Sequence, residues 1–450
     1  MKPCRFNPKH SLKLQRFALS GLLLGLAPIH NACADTWVPG PPTYWIGTTG
    51  THLGASAAIG IYDINDNSSI GSLYVGAPMQ AAGAMAEAGA VQVFTPTPQG
   101  GWDYAYTKFA TTPQAGAHFG ASLAYSAGHL LVASPSYNNG ISLGAVEFFN
   151  DNESPPPAPL VSEGQTTSVG ASAVAVDGDM AAIGNSQFNN SNGSAYVYKR
   201  TPTGQWQIFN GNAIVTGNLG GALGSSVAIR QTGPTTFMMV AGAPAETQNS
   251  QALAGAAHIY VENVQGTGLL DIGPITAQSP GFLDVFGASV GIDANFIYVG
   301  ATGRDNGAGR VGSVTIFKPA SIIGYNYLSE YFPSAPATIG GHCGASLSVD
   351  PYNSEFILGC PNSNDPYYTG VGTARVYRLF QFLGQPVWLD SVLSFGTLFH
   401  GPGDALGSSV AIYGDHAFAG APNANFSPGT GNGRWMAFVP EKIFKDGFGG

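Results

Sequence analysis

The segment FGASLA at residues 119–124 is followed by LLVASP at 130–135 and by GAVEFF at 144–149. The first string consists of a large apolar residue, Gly, Ala or Ser, Ser and an apolar pair, and it occurs seven times. Consecutive copies are about 59 residues apart on average, and a fixed period of this length predicts a repeat architecture. The glycines of the seven copies are Gly54, Gly120, Gly170, Gly224, Gly287, Gly344 and Gly407.

The other two strings recur in step with the first. Copies of the second string end near Pro78, Pro135 and Pro244, and copies of the third end at Phe94, Phe149 and Tyr198 and at later equivalents. A weaker fourth segment carries a tryptophan in three copies. Short apolar runs separated by Gly-rich turns are typical of strands, and four short strands form one blade of a β-propeller. The sequence therefore predicts an all-β fold, a seven-bladed β-propeller of four-stranded blades.

Side-chain size along each unit supports this arrangement. The first string is rich in Gly, Ala and Ser, as the crowded axis of a ring of sheets requires, whereas Val, Phe and Tyr dominate the third string. Only twelve residues follow Phe438, so the seventh unit lacks a fourth strand. We expect residues 36–46, which include Trp37 and Trp45, to pair into the seventh blade and close the ring. The alternative is an unpaired leader that contains Pro39, Pro41 and Pro42.

Composition excludes several classes of protein. Hydrophobic residues make up 44% of the 450 residues and charged residues only 10%, so the chain has ample apolar surface to bury and is not disordered. The 63 glycines and the scarcity of charge favour β-structure with many turns over helices.

The first 34 residues have the pattern of a secretory signal peptide. Residues 1–16 carry five Lys or Arg and no acid, residues 17–29 are apolar, and Ala32-Cys33-Ala34 forms a small-residue cleavage site. A lipoprotein signal at Cys33 is the alternative. We expect the mature protein to begin at Asp35 and to be secreted, displayed at the cell surface or periplasmic. The propeller then spans 35–440, with a short tail at 441–450.

The charge of the mature chain limits its partners. Removal of residues 1–34 changes the formal net charge from −9 to −14, and no basic stripe is present. We therefore predict no nucleic-acid partner and no attraction to anionic membranes. No later apolar run approaches the roughly 18 residues of a transmembrane helix, so membrane insertion is not expected.

The order FGASLA, LLVASP, GAVEFF resembles the FG-GAP repeat of the β-propeller in integrin α-subunits and its bacterial relatives. The resemblance covers residues 50–440 and implies a propeller with calcium-binding loops between the first two strands. Most copies here have a tight turn at that place, which leaves no room for a loop of oxygen ligands. Asp63, Asn65 and Asn67 are the one weak calcium candidate, because the segment lacks the glycine and the terminal acid of the motif. The alternative is a polar turn, and no other cofactor is expected.

Two cysteines remain in the mature chain. Cys343 occupies the large apolar position of a first string, and Cys360 lies in the second string that follows. These strands are predicted antiparallel neighbours, so we expect a disulfide, with two buried thiols as the alternative.

Catalytic motifs are weak or absent, and the sequence predicts no enzyme. The G-x-S-x-G letters at 140–144 and 287–291 lie in or between predicted strands and not at the strand-to-helix turn that a nucleophile elbow needs. His52, His118 and His342 each precede a first string. They could converge on a metal, but edge histidines bonded to backbone are the simpler interpretation.

The loops between second and third strands are the candidate recognition surface. They combine aromatic rings with amides and a few charges, which suits contact with a protein or a glycan. We predict a non-catalytic binding or adhesion module; a propeller hydrolase or lyase with its site at the channel mouth and a structural envelope component are the alternatives. The candidate ligand-binding residues are Tyr137, Asn138, Phe188, Arg304, Asp305, Tyr367 and Tyr368.

Overall fold

The computed structural model is a ring of seven antiparallel β-sheets. In six blades, four consecutive strands pair in chain order, and adjacent first strands contact one another around the whole circuit. The predicted all-β, seven-bladed propeller is thereby confirmed. The structure describes residues 37–61, 70–97, 101–140, 143–151, 161–167, 169–211, 213–233, 236–262, 268–320, 324–333, 338–351, 355–365, 368–382, 385–393, 401–425 and 430–440.

The strands of the first six blades follow one another in the sequence. Blade one contains β2 (Ala57–Ile61), β3 (Ile70–Ala77), β4 (Ala90–Pro96) and β5 (Trp102–Lys108). Blade two contains β6 (Ser122–Ser126), β7 (His129–Asn138), β8 (Leu143–Asn150) and β9 (Val161–Thr167). Blade three contains β10 (Ala173–Asp177), β11 (Met180–Asn185), β12 (Ser194–Arg200) and β13 (Trp206–Ile208), with β14 (Ile214–Thr216) also on β12.

Blades four to six keep the same order. Blade four contains β15 (Ser226–Gln231), β16 (Phe237–Ala243), β17 (Ala256–Glu262) and β18 (Leu269–Ile275). Blade five contains β19 (Phe286–Ile292), β20 (Ile297–Ala301), β21 (Ser313–Pro319) and β22 (Tyr325–Tyr331). Blade six contains β23 (Ser346–Val349), β24 (Glu355–Cys360), β25 (Thr373–Phe382) and β26 (Gln385–Leu393). The helical segments described are the turns α1 (Phe188–Ser191) and a 3₁₀ turn (Phe209–Gly211).

Blade seven is completed by the N-terminal strand, as predicted. It contains β27 (Ser409–Tyr413), β28 (His416–Ala421), β29 (Arg434–Pro440) and β1 (Trp37–Ile46), and β1 pairs antiparallel with β29. The register shifts between Pro39 and Tyr44, where two further prolines offer no N–H to the ladder. The Trp45 indole donates to the carbonyl of Trp102 at 3.2 Å, so β1 also contacts blade one.

The repeated Gly and Ser of the first string join neighbouring blades. Gly54 has φ +93°, and a Cβ there would lie 2.3 Å from the carbonyl oxygen of Arg434, so glycine is required. In five of the seven copies the repeat serine donates through Oγ to the carbonyl of the repeat glycine in the next blade. These bonds are Ser56 to Gly120, Ser226 to Gly287, Ser289 to Gly344, Ser346 to Gly407 and Ser409 to Gly54.

The apolar core lies between the blades. Second and third strands of neighbouring sheets supply its large side chains, among them Phe94 and Trp435 with ring centroids 4.8 Å apart across blades one and seven. Phe356 and Tyr377 stack at 4.7 Å in blade six. This size gradient from small inner strands to aromatic third strands matches the sequence pattern.

Antiparallel pairing divides the loops between two faces. The segments that join second to third strands, and those that connect one blade to the next, lie at one end of the ring, called the loop face here. The opposite end, the hairpin face, holds the other turns; Trp37 and Pro440 pair at that end.

Residues 1–34 and 441–450 lie outside the described residues, so the signal peptide and the tail stay predictions. Within the described part of the chain, no helix has the length and apolar character needed to cross a membrane.

Candidate functional site

Large exposed apolar side chains are concentrated on the loop face. Of thirteen such residues in the described ranges, eight lie on that face and five lie on outer strands, while the described hairpin face has none. Scattered exposed apolar residues are normal, but their concentration at one end of the ring makes the loop face the candidate interaction surface. The eight are Met85, Leu143, Phe188, Leu219, Leu253, Phe282, Ile339 and Tyr368.

Two of the predicted ligand-binding aromatics belong to this set. Phe188 starts the turn α1, in which Asn189 and Asn190 have φ of +48° and +57°, a conformation that Asn adopts more readily than most residues. Tyr368 closes a turn in which its N–H donates to the Asp365 carboxylate at 2.7 Å. Both rings are exposed on the loop face.

Tyr137, Asn138 and Asp305 also lie in these loops. Asn138 is exposed, its Oδ1 accepts from the N–H of Gly140 at 2.8 Å, and its backbone bonds with Gln114. Asp305 is exposed, and its Oδ1 accepts from Gly307 at 2.7 Å. Tyr137 is half-buried. Asn138 and Asp305 therefore shape their own turns as well as being accessible.

Arg304 has an internal role. Its Nε donates to Glu330 and its Nη1 to Asp284, both at 2.8 Å, and Nη1 also donates to the carbonyl of Ser279 at 2.7 Å. The side chain is only 14% exposed. The guanidinium thus ties the loop of blade five to the connection from blade four and to outer strand β22. Arg304 therefore contributes little to the exposed surface of the loop face.

The loop between the second and third strands of blade four is also held by paired titratable side chains. His258 Nε2 lies 2.9 Å from the Glu246 carboxylate, and Asn218 donates to the same carboxylate at 2.8 Å. Burial alone would raise the pKa of Glu246, but the hydrogen bond and charge of His258 outweigh it and lower that pKa. Burial alone would lower the pKa of His258, but Glu246 outweighs it in turn and raises that pKa. The result is a buried Glu246–His258 pair that Asn218, the residue before Leu219, also contacts.

Several residues of this surface have no counterpart among the sequence predictions. Leu219, Phe282 and Ile339 lie in connections between blades, each beside a glycine, whereas the predictions considered the loops between second and third strands. The sequence signal that could have identified them is a large apolar residue next to Gly within an otherwise polar connection. Leu253 and Met85 lie in loops that contain no aromatic residue.

The predicted calcium residues and one predicted aromatic cannot be placed. Asp63, Asn65, Asn67 and Tyr367 lie outside the described residues. In the described ranges, no group of three or more His, Cys, Asp or Glu is arranged to hold a metal ion. His118 Nδ1 lies 3.2 Å from Ser136 Oγ, and His342 Nδ1 lies 3.1 Å from the Asn362 amide, so these two histidines have local contacts.

Cys343 and Cys360 form a disulfide in the structure, with their Cα atoms 3.9 Å apart. The bond links the start of blade six to the end of β24, and both residues are buried. Cys343 also forms a parallel bridge with Gly312 of blade five, so the disulfide lies at the junction of two blades.

A polar pocket of about 370 Å³ lies away from this surface, between the outer strands of blades two and three. Its lining includes Glu163 and Arg200, whose Nε donates to that carboxylate at 2.9 Å. Burial alone would raise the pKa of Glu163, but hydrogen bonds from Arg200 and Trp206 outweigh it and lower that pKa. Glu163 is the one carboxylate that lines this pocket, so the paired carboxylates of a glycosidase are not found there. Ser289, the serine of the G-x-S-x-G letters at 287–291, donates through Oγ to the carbonyl of Gly344 in the neighbouring blade.

Comparison with known proteins finds a structural likeness and no match in sequence. No protein-family model matches the chain, and a search of curated proteins gives no match. Among solved structures, the chain is similar to Sqt1 of Saccharomyces cerevisiae, with a TM-score of 0.48 and 12% identity over 91% of this chain and 100% of that one. A likeness at this level carries no argument about function. The resemblance to FG-GAP repeats therefore rests on the repeated strings alone, and no family model supports it.

Proposed function

We propose that the protein is a secreted, non-catalytic binding module that recognises a protein or a glycan through its loop face. The observation that carries the proposal is the one-sided placement of large exposed apolar side chains on that face. The described residues between 37 and 440 form the seven blades and their connections, and we place recognition on this propeller. The repeated strings support a relationship to FG-GAP propellers.

Two features support a location outside the cytosol. Residues 1–34 have the composition of a secretory signal peptide, and Cys343 and Cys360 are bonded to each other. Disulfides persist in oxidising compartments and are rare in the cytosol. Fractionation of expressing cells, followed by N-terminal sequencing, tests this location. We expect the protein outside the cytosol with Asp35 as its first residue, and cytosolic protein that keeps Met1 would contradict it.

The binding function is tested on arrays of glycans and extracellular-matrix proteins, with calcium and with chelator. The loop-face variant Phe188→Ser/Phe282→Ser/Tyr368→Ser is compared with a matched control on outer strands, Tyr104→Ser/Leu270→Ser/Tyr327→Ser. We expect saturable binding by wild type and control and its loss in the loop-face variant. Equal loss in both variants would contradict the role of the loop face, and turnover of an arrayed substrate would contradict the non-catalytic assignment. Loss with chelator alone would point to Asp63, Asn65 and Asn67.

A further inference from the structure

We propose that one arc of the loop face binds a partner protein, and not a glycan or a charged ligand, through six exposed apolar side chains that lie among uncharged polar residues. The inference rests on the proposed binding function and specifies its partner. The arc crosses blades three to six, and we call it the apolar arc. Its residues are Phe188, Leu219, Leu253, Phe282, Ile339 and Tyr368, which are between 39% and 91% exposed.

Hydrogen bonds join the segments that carry the first half of the apolar arc. The loop that carries Phe188 bonds to the next connection, because Ser191 O accepts from Ala222 at 2.8 Å and the Asn192 side chain accepts from Gly220 at 3.1 Å. That connection carries Leu219, and its Gly221 O accepts from Ala245 at the start of the blade-four loop. Leu253 ends this loop. Phe188, Leu219 and Leu253 are thus held on hydrogen-bonded neighbouring segments.

Hydrogen bonds also join the described segments that carry the second half. Val285 donates to the carbonyl of Leu253 at 3.0 Å, which joins the blade-four loop to the connection that carries Phe282. Arg310 of the blade-five loop donates to the carbonyl of Phe282 at 2.6 Å and accepts through its own carbonyl from Gly340, beside Ile339. The same connection reaches the blade-six loop of Tyr368, since Thr338 Oγ1 accepts from Asn364 at 2.8 Å.

The chemistry of the apolar arc favours a protein over a sugar. Leu219, Leu253 and Ile339 offer neither hydrogen bonds nor an aromatic face, and Leu219 and Ile339 are 91% and 67% exposed. Glycan sites need convergent polar groups in a concave pocket, whereas a row of aliphatic and aromatic anchors over four blades matches a protein interface with an apolar centre.

The scarcity of exposed charge on the apolar arc favours an uncharged partner. Among the described residues of these segments, Asp305 is the exposed carboxylate, and His342 is an exposed imidazole beside Ile339. The guanidinium of Arg310 donates to the carbonyls of Leu283, Gly303 and Phe282 and is therefore already bonded. The charges of Glu246 and His258, and of Arg304, Asp284 and Glu330, are buried and paired with one another. A strongly charged ligand would find no complementary cluster here.

Selection of a phage-displayed library of short random peptides on the full chain tests this inference. We expect enriched peptides that are rich in Leu, Ile, Phe and Trp and close to neutral. Their binding should weaken at least tenfold in Leu219→Ser/Phe282→Ser/Ile339→Ser and stay unchanged in the control Tyr104→Ser/Leu270→Ser/Tyr327→Ser. Because exposed charges are few, the Kd should change less than twofold between about 0.05 M and about 0.5 M salt.

The outcomes separate this inference from the proposed function. Enrichment of acidic or basic peptides with salt-sensitive binding, or loop-face binding to glycans alone on the array, would overturn the inference and leave the binding function standing. Failure of both the array and the selection would overturn both. Thermal unfolding checks each variant, and if the triple variant does not fold, the single change Leu219→Ser at the most exposed position takes its place.

Discussion

Ser409 Oγ donates a hydrogen bond of 2.7 Å to the carbonyl oxygen of Gly54, which lies 355 residues earlier in the chain. The same Ser-to-Gly bond joins four other pairs of neighbouring blades. A parallel bridge between Leu53 and Gly433 lies beside it. The ring is therefore closed at its inner strands by the same contacts that repeat around it, and at its outer edge by β1.

Replacement of Ser409 by Ala removes the closing bond of the inner ring. Ser409 is buried, and the Gly54 carbonyl would be left without this donor, so we expect the free energy of unfolding to fall by about 1 kcal/mol. Denaturant unfolding measures the change. The control is Ser279→Ala, an exposed serine on the loop face, for which we expect no measurable effect. A loss of equal size in both variants would contradict the inner-ring role.

Deletion of residues 1–49 removes β1 and leaves β29 as an unpaired edge. Phe94 also loses its contact with the ring of Trp45, whose centroid lies 5.4 Å away, so the outer contact between blades seven and one is weakened. We expect a lower melting temperature and a broader transition by calorimetry, because an open ring unfolds less cooperatively. The matched control begins at Asp35 and keeps β1. Identical melts for the two chains would show that β1 does not stabilise the ring.

The sequence predicted the fold well because its decisive contacts repeat. The Gly and Ser of the first string recur since each blade must approach the next at the same place, as Gly54 and Ser409 show. The closing strand was predictable by counting, because the seventh unit ends after its third strand. Local departures were not predictable: Ser172, a repeat serine, bonds to Gly184 of its own blade.

The candidate site was predicted less fully, for a physical reason. Exposure of Leu219 or Ile339 depends on how a connection crosses from one blade to the next, and this path leaves no periodic pattern in the sequence. The internal role of Arg304 was unpredictable for the same reason, because its partners Asp284 and Glu330 are 20 and 26 residues away in the sequence. Composition placed the aromatics on the correct loops, but only the three-dimensional arrangement separates an accessible ring from an internal charge.

The carboxyl group of Glu355 is expected to make stability depend on pH. Burial raises its pKa from 4.5 to about 7, opposed by Arg378 and reinforced by Asp350 and Asp415. Because the folded-state pKa is the higher one, the stabilisation is complete below about pH 4.5 and is lost as the pH rises to about 7. The shift corresponds to about 3 kcal/mol.

Glu355→Gln tests this dependence. The amide stays neutral at every pH and its oxygen can still accept from Arg378, so we expect the variant to be more stable than wild type at about pH 8 and to lose much of the decline between about pH 4.5 and pH 8. Urea unfolding at about pH 4.5 and about pH 8 measures the free energy of unfolding of both proteins. Asp103→Asn, at an exposed carboxylate, is the control. A wild-type decline that Glu355→Gln leaves intact would assign the pH dependence to other groups.

The disulfide should contribute to stability. Cys343 and Cys360 are 17 residues apart, and closure of a loop of this size stabilises a fold by about 3 kcal/mol in the chain-entropy model. We expect reductant to lower the melting temperature of wild type and to leave Cys343→Ala/Cys360→Ala, which starts lower, unaffected. Intact mass without reductant provides the direct check, and two free thiols in the purified protein would refute the bond.

Arg304 and Asp305 are adjacent in the chain but are expected to respond differently to substitution. Arg304→Ala leaves the carboxylates of Asp284 and Glu330 without their cation inside the protein, and loss of one partner of a buried pair costs about 3 kcal/mol. Asp305→Ala removes an exposed carboxylate and should change the free energy of unfolding by less than about 0.5 kcal/mol. Arg304→Lys keeps the charge without the planar fork that bonds two carboxylates, so we expect an intermediate loss. Denaturant unfolding of the three variants measures this order. If Arg304→Ala unfolds like wild type but loses binding to a ligand of the loop face, the guanidinium is a recognition group and not an internal support.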